Sequence, residues 1–203
     1  MHRSAIRHLK AADPVLAELI AQVGPCRLQP TTEQSHFESI VRAIVYQQLS
    51  GKAAGTIYGR FAELFPARRP TAPHLLTLDD GALRGVGLSR PKLTYVRDLA
   101  TRVHENALPI ERLHTLPDEE ILAHLTAVKG IGVWTAQMFL LFRLGRPDVL
   151  PDLDLGIQKA VQRAYRLRKR PTPERVRRIG AKWAPHRSVA TWYLWRYLDG
   201  DAA

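Results

Sequence analysis

The sequence predicts an all-α protein, and three observations carry that prediction. Apolar residues recur at spacings of three and four along the whole chain. No stretch alternates apolar and polar residues as a strand would. Pro, Gly and capping side chains punctuate the gaps between the apolar stripes.

The helices follow in order. Asp13-Pro14 reads as an N-cap and first helical residue, opening a helix through Leu16, Leu19, Ile20 and Val23 that Gly24-Pro25 ends. Phe37, Ile40, Val41, Ile44 and Val45 form a stripe starting near Ser35, and Ile57, Phe61, Leu64 and Phe65 form another that Pro66 closes. Ser89-Arg90-Pro91 opens a helix carrying Leu93, Val96, Leu99 and Val103. Pro117-Asp118-Glu119-Glu120 sets acids in a first turn, where the helix dipole favours them. Further helices are expected near 133–144, 155–166, 173–184 and 188–198. Two Pro/Gly breaks, Pro66-to-Pro73 and Gly145-to-Pro151, suggest two helical lobes. A central lobe is expected at 36–148, and 1–35 is expected to pair with 149–203, leaving an active-site cleft between the lobes.

Composition narrows the partner. The 203 residues hold 30 Lys+Arg against 19 Asp+Glu, a net charge of +11. Seven of the 30 are Lys, so 23 are Arg. That balance points to a polyanion or an anionic membrane surface, and guanidinium forks match phosphate oxygens. One cysteine, Cys26, excludes an internal disulfide, a four-cysteine zinc site and a four-cysteine iron–sulfur cluster. Residues 1–8 lack the apolar core of a signal peptide, and the longest apolar run, Met138 to Phe142, is far short of the roughly 18 residues of a membrane span. A soluble, cytoplasmic, bacterial-type protein without a membrane partner is expected. The eight histidines show no metal-ligand spacing.

The most informative stretch is Leu125-Thr126-Ala127-Val128-Lys129-Gly130-Ile131-Gly132-Val133-Trp134-Thr135-Ala136. It joins two amphipathic helices through Gly130-Ile131-Gly132, and two glycines let the backbone turn sharply and approach a ligand closely. The amides of Gly132 and Val133 then open a helix, where orphan N–H groups attract anions. With Lys129 beside them they form a phosphate grip of no sequence preference. Any helix connection can use Gly-x-Gly, so the longer string carries the weight. It resembles the helix-hairpin-helix of the DNA glycosylase superfamily that includes endonuclease III and 3-methyladenine DNA glycosylase II. The resemblance implies double-stranded damaged DNA as partner and a monomer without organic cofactor. It also implies a structural monovalent cation (Na or K) on the main-chain carbonyls of Thr126, Val128 and Ile131. The resemblance spans about 35–198 and implies that the N-terminal β domain of longer relatives is missing.

The same resemblance implies an essential aspartate at the mouth of the next helix. The text there reads Pro147-Asp148-Val149-Leu150-Pro151-Asp152-Leu153-Asp154-Leu155-Gly156-Ile157. Register on Leu155-Gly156-Ile157 makes the residue Asp154. Leu153 replaces the first of two adjacent acids seen in alkyladenine-type members, and Asp152, one step further away, stays as the rival. An isolated Asp here reads as a plain N-cap; the hairpin 22 positions earlier favours chemistry. A carboxylate at that point stabilises the positive charge that builds on the sugar as an N-glycosidic bond breaks, and it orients the attacking water.

The remaining family positions refine the type. Members that also cut the backbone carry a Schiff-base lysine after Gly-Ile-Gly-Val; here Trp134 stands there, which implies base removal without lyase activity. An aromatic pocket also suits cationic alkylpurines such as 3-methyladenine and 7-methylguanine. The string Lys182 to Trp195 is similar to the last helices of 3-methyladenine DNA glycosylase II, with Trp195 as pocket residue and Trp183, Trp192 and Tyr193 as core or rim. Tyr46-Gln47-Gln48-Leu49 matches the segment that wedges into the duplex where the base leaves the stack. Gln48 stands at the wedge position with Leu49 beside it, and Tyr46 and Gln47 are further pocket residues. A polar wedge departs from the apolar residue of the named enzyme; it fills the gap by hydrogen bonds and implies a different lesion preference. Leu83 to Lys92 reads as a structural turn whose Arg and Lys also meet DNA. The Arg166–Arg178 cluster reads as a solvated face or as a second phosphate contact. The functional expectation is a monofunctional DNA glycosylase of base excision repair. A non-catalytic damaged-DNA-binding protein and a bifunctional glycosylase/lyase are the alternatives.

Overall fold

The computed structural model describes residues 2–200, and among them every regular element is helical. Helix α1 (Arg3–Ala12) leads into α2 (Pro14–Val23), which starts as expected: Asp13 accepts the Val15 N–H at 3.0 Å and Pro14 fills the first turn. Gly24, at φ +82°, ends it in a conformation few other residues adopt. Helix α3 (His36–Tyr46) opens with a capping box, in which Ser35 and Glu38 bond each other's backbone N–H. Helix α4 (Gly51–Glu63) is capped by Ser50 and α7 (Arg90–His104) by Ser89. Helix α8 (Asp118–Thr126) follows Pro117, and α10 (Leu155–Ala164) and α12 (Arg187–Asp199) stand near their expected bounds.

Several elements differ from expectation. Helix α1 was not anticipated, because only Ala5, Ile6 and Leu9 mark its apolar face; Ala5 and Leu9, one turn apart, are buried. Short helices α5 (Ala72–Thr77) and α6 (Asp80–Gly85) occupy ground that read as break and turn, each anchored by one buried leucine, Leu75 or Leu83. Helix α9 (Val133–Met138) does not run to 144 but passes into a π-helical turn over Phe139–Arg143. Helix α11 (Pro173–Gly180) gives way to a 3₁₀ turn, Ala181–Trp183.

The chain forms two compact units, one of residues 2–30 with 140–200 and one of Thr31–Phe139. The division falls inside the π-helical turn, so the Gly145–Pro151 break lies within the first unit. In the Thr31–Phe139 unit, α7 packs on α3, α5 and α6, and α8 on α9, over buried Phe37, Val41, Ile44, Phe61, Leu99 and Leu125. In the other unit, α12 packs on α2 and α10, and Leu9, Leu16, Ile157, Val161, Trp183 and Tyr193 are buried. That core encloses the Asp13 carboxylate. Asp13, 0% exposed, accepts from Trp183 Nε1 at 2.8 Å, from the Tyr165 hydroxyl, and from Lys182 Nζ at 3.2 Å. Burial opposes its charge, but these donors outweigh burial and hold Asp13 below the usual carboxylate range. Burial, with the same contact, pushes the Tyr165 hydroxyl up.

Candidate active site

In the Thr31–Phe139 unit the hairpin turns after Thr126, and Val128 accepts the Ile131 N–H at 3.1 Å. Gly130 is required twice over. Its φ is +78°, and a Cβ there would lie 2.2 Å from the Tyr95 ring. Gly132 is different: it is the N-cap of α9 at φ −92°, and a Cβ there would meet open space, so its part is to leave the mouth of α9 uncovered. Val133 and Trp134 are exposed beside it. Lys129 is not a free cation. Its N–H donates to Asp98 Oδ2 at 2.9 Å and its Nζ lies 4.0 Å from Asp98 Oδ1. Burial resists the Asp98 charge, but the Lys129 N–H and the Arg102 guanidinium hold the carboxyl below its ordinary range.

The segment after α3 is fastened to this hairpin. Gln47 Nε2 donates to the Gly130 carbonyl at 2.9 Å, so Gln47, expected in a base pocket, is first a strut. Lys92 Nζ donates to the carbonyls of Val45 at 2.7 Å and Gln47 at 2.8 Å. Of the Arg and Lys of Leu83–Lys92, Lys92 is thus turned onto the protein's own backbone, while Arg84 and Arg90 are exposed. Arg84 is likewise bonded to the Leu88 carbonyl, at 2.5 Å. Gln48 takes the left-handed conformation, φ +56°, and with Leu49 is exposed. Tyr46, Gln47, Gln48, Lys92, Tyr95 and Trp134 line a cavity of about 710 Å³, and the Arg42 guanidinium sits 4.0 Å above the Tyr46 ring.

In the other unit the acid loop is pinned to α12. Gly145, at φ +65°, packs so closely on Pro30 that a Cβ would lie 2.5 Å from that ring. Asp148 takes a two-pronged contact from Arg187, Nε to Oδ1 at 2.7 Å and Nη2 to Oδ2 at 2.8 Å, which holds Asp148 below the carboxylate range. Ser188 Oγ donates to the Arg146 carbonyl at 2.6 Å and accepts the Val149 N–H at 2.9 Å, and Thr191 Oγ1 donates to the Val149 carbonyl at 3.2 Å.

The loop delivers Asp154 to the mouth of α10. Its Oδ1 accepts the Ile157 N–H at 2.8 Å and the Trp195 Nε1–H at 3.1 Å. The Trp195 ring stacks on Phe142, centroids 5.7 Å apart and planes within 18°. Gly156 leaves room for this arrangement, because a Cβ there would lie 2.9 Å from Asp154 Oδ1. The carboxylate is half-buried, flanked by exposed Leu153 and Leu155. Asp152 has another fate: it is buried, and its carboxylate pairs with Arg177. One α12 face thus holds the loop through Arg187, Ser188 and Thr191 and the carboxylate through Trp195.

A family model described as HhH-GPD superfamily base excision DNA repair protein matches residues 41–186. The chain belongs to that superfamily. The match takes in both the hairpin and the acid loop. This HhH-GPD chain is 34% identical over 192 residues to DNA-3-methyladenine glycosylase 1 of Schizosaccharomyces pombe, covering 93% of this chain and 84% of that protein. It is 31% identical over 179 residues to DNA-3-methyladenine glycosylase 2 of Escherichia coli, covering 81% of this chain and 58% of that one. Among solved structures, the S. pombe 3-methyladenine DNA glycosylase Mag1 in complex with abasic DNA superposes with a TM-score of 0.82 at 34% identity, over 95% of each chain. A DNA-3-methyladenine glycosidase from Bacillus halodurans gives 0.88 at 35% identity, over 98% of this chain and 90% of that one.

Sequence reasoning missed Asp98, Lys92 as a strut, Gly156, and the Arg187–Ser188–Thr191 face. A faint signal existed for the last, since 187, 191 and 195 share a helical face on which two polar residues interrupt an apolar run.

Proposed function

We propose that this HhH-GPD protein is a monofunctional DNA glycosylase that removes alkylated bases, of the 3-methyladenine and 7-methylguanine type, from double-stranded DNA. The observation that carries the reading is the Asp154 carboxylate: half-buried, standing at a helix mouth, and held there by the Ile157 N–H and the Trp195 Nε1–H. In the reaction the base leaves with the electron pair of the C1′–N bond. Asp154 stabilises the oxocarbenium-like sugar, orients the water whose oxygen then bonds to C1′, and takes the proton that this water gives up. Trp195, which donates to Asp154, supplies an electron-rich face for a cationic base, a good contact contributing about 0.5–2 kcal/mol. Gln48, with Leu49, fills the gap left by the flipped nucleotide, which suits exposed side chains on a fastened loop.

Phosphate contact falls to Gly130, Gly132, Val133 and Lys129. The last works as a hydrated charge shared with Asp98, which limits its share, since exposed ion pairs contribute at most about 1 kcal/mol. The carbonyls of Thr126, Val128 and Ile131 suit a monovalent cation: they are neutral oxygens, and Thr126 ends a helix whose last carbonyls lack intrahelical donors. Such an ion would neutralise a nearby phosphate.

The names of the relatives support the substrate class, and Trp134 at the lyase-lysine position supports hydrolysis without strand cleavage. The reading takes the enzyme to work as a monomer in a bacterial cytoplasm. Among the described residues no helix is long and apolar enough to cross a membrane. The test is incubation of methylated duplex DNA with the protein, scoring free bases and alkali-labile sites. Release of methylated purines is expected, with no covalent complex trapped by borohydride. No release overturns the glycosylase reading, and a trapped complex overturns its monofunctional part.

A further inference from the structure

Arg166, Arg168, Lys169, Arg170, Arg175, Arg177 and Arg178 put seven cations into thirteen positions, and the activity proposed above uses none of them. They span the loop after α10 and the exposed side of α11. Both acids that reach this stretch, Asp152 and Glu174, pair with Arg177. Among the described residues the other six have no acidic partner. Arg168, Lys169, Arg170 and Arg175, with Pro171 and Thr172, line an open concavity of about 690 Å³. Unneutralised like charge destabilises a folded unit by self-repulsion, and a polyanion relieves it.

The kind of polyanion follows from what the patch lacks. Its two apolar members, Leu167 and Pro171, are half-buried and buried, and the exposed large hydrophobics of the chain all lie elsewhere. A membrane surface is held by inserted apolar side chains as well as by charge. No buried donor lines the concavity that would enclose a small anion. What is left is a row of exposed guanidinium groups, which fits the spaced phosphates of a nucleic-acid backbone. Helix α10 runs from Asp154 to this loop over ten residues, about 15 Å, so the patch lies several base pairs from the acid.

We propose that the Arg166–Arg178 stretch is a second DNA-backbone site that grips duplex phosphates away from the lesion, through Arg168, Lys169, Arg170 and Arg175. The inference rests on the reading that the protein acts on DNA. It supplies affinity for undamaged duplex and takes no part in bond breaking.

The test is the salt dependence of binding to an undamaged duplex. Each phosphate contact contributes roughly 0.9 to the slope of log K against log salt. The triple variant R168Q/K169Q/R170Q is expected to flatten the slope by about 2–3, while base release at saturating enzyme in single turnover stays within twofold. A control, R3Q/R7Q/K10Q, removes the same charge from exposed positions of α1 and is expected to change the slope by less than about 1. Equal slopes in both variants, or no flattening in the first, overturn the proposal, as does tighter binding to phosphatidylserine vesicles than to duplex. Failure of the native enzyme to release bases would count against the glycosylase reading and leave the slope comparison intact.

Discussion

Gly156→Ala separates the chemistry from the fold. A Cβ at 156 lies 2.9 Å from Asp154 Oδ1 and 3.4 Å from Trp195 Cδ1. Ordinary contact needs about 3.4 Å or more, so the carboxylate must retreat by roughly 0.5 Å. It is held where it is by the Ile157 N–H at 2.8 Å and the Trp195 Nε1–H at 3.1 Å, so the retreat stretches at least one of these bonds. Bonds to a charged group contribute about 1.5–3 kcal/mol each. Misplacement by 1 Å costs on the order of a hundredfold in rate, so half that distance costs about tenfold. The fold does not suffer, because Gly156 lies in the first turn of α10 without a left-handed φ and alanine favours helix by up to about 1 kcal/mol. Single-turnover base release should therefore fall about tenfold while the melting temperature holds or rises. Release within twofold of the native rate, in a protein that melts normally, would refute the argument that the position of this carboxylate limits catalysis.

Other perturbations test the scaffold. Asp13→Ala leaves the Trp183 N–H, the Tyr165 hydroxyl and Lys182 without their buried acceptor; it should cost about 3–5 kcal/mol in urea unfolding, and a loss under about 1 would contradict that reading. Asp148 is held below the carboxylate range by Arg187, so its stabilisation is present above the ordinary pKa and is lost as pH falls through the lowered one. Asp148→Asn should accordingly destabilise at pH 6 and converge with the native protein near pH 2, as read from paired urea titrations. Lys92→Met and Gln47→Ala both loosen the segment that joins α3 to the hairpin, and their unfolding energies should couple by more than about 0.5 kcal/mol in a double-mutant cycle.

How far the sequence carried depended on whether the partner of each residue was close in the chain. Caps such as Asp13-Pro14, Ser35…Glu38 and Ser89-Arg90-Pro91 act within three residues, and the helices they open stand where the pattern put them. The run Met138 to Phe142 is apolar on every side, so no phase in it betrays the point where the helical ladder slips into a π turn. Helices α5 and α6 are six residues each and too short for periodicity to show. At the site, the register on Leu155-Gly156-Ile157 singled out Asp154, yet the feature that sets Asp152 apart is Arg177, 25 positions later. Lys92, next to a proline at a helix start, reads as a surface cation. Only the folded chain turns it onto the Val45 and Gln47 carbonyls, 47 and 45 positions away. Lys129 likewise read as a free phosphate ligand until α7 brought Asp98 beside it.

Asp154→Asn asks whether the Asp154 charge drives glycosidic bond cleavage. Asparagine is isosteric, caps a helix as well as aspartate, and still accepts from Ile157 and Trp195, so the fold and the geometry persist while the charge goes. Single-turnover release of 3-methyladenine from methylated duplex should fall by at least about a hundredfold with an unchanged melting temperature. Equal release by the native protein and the variant would show that the Asp154 charge does not drive cleavage.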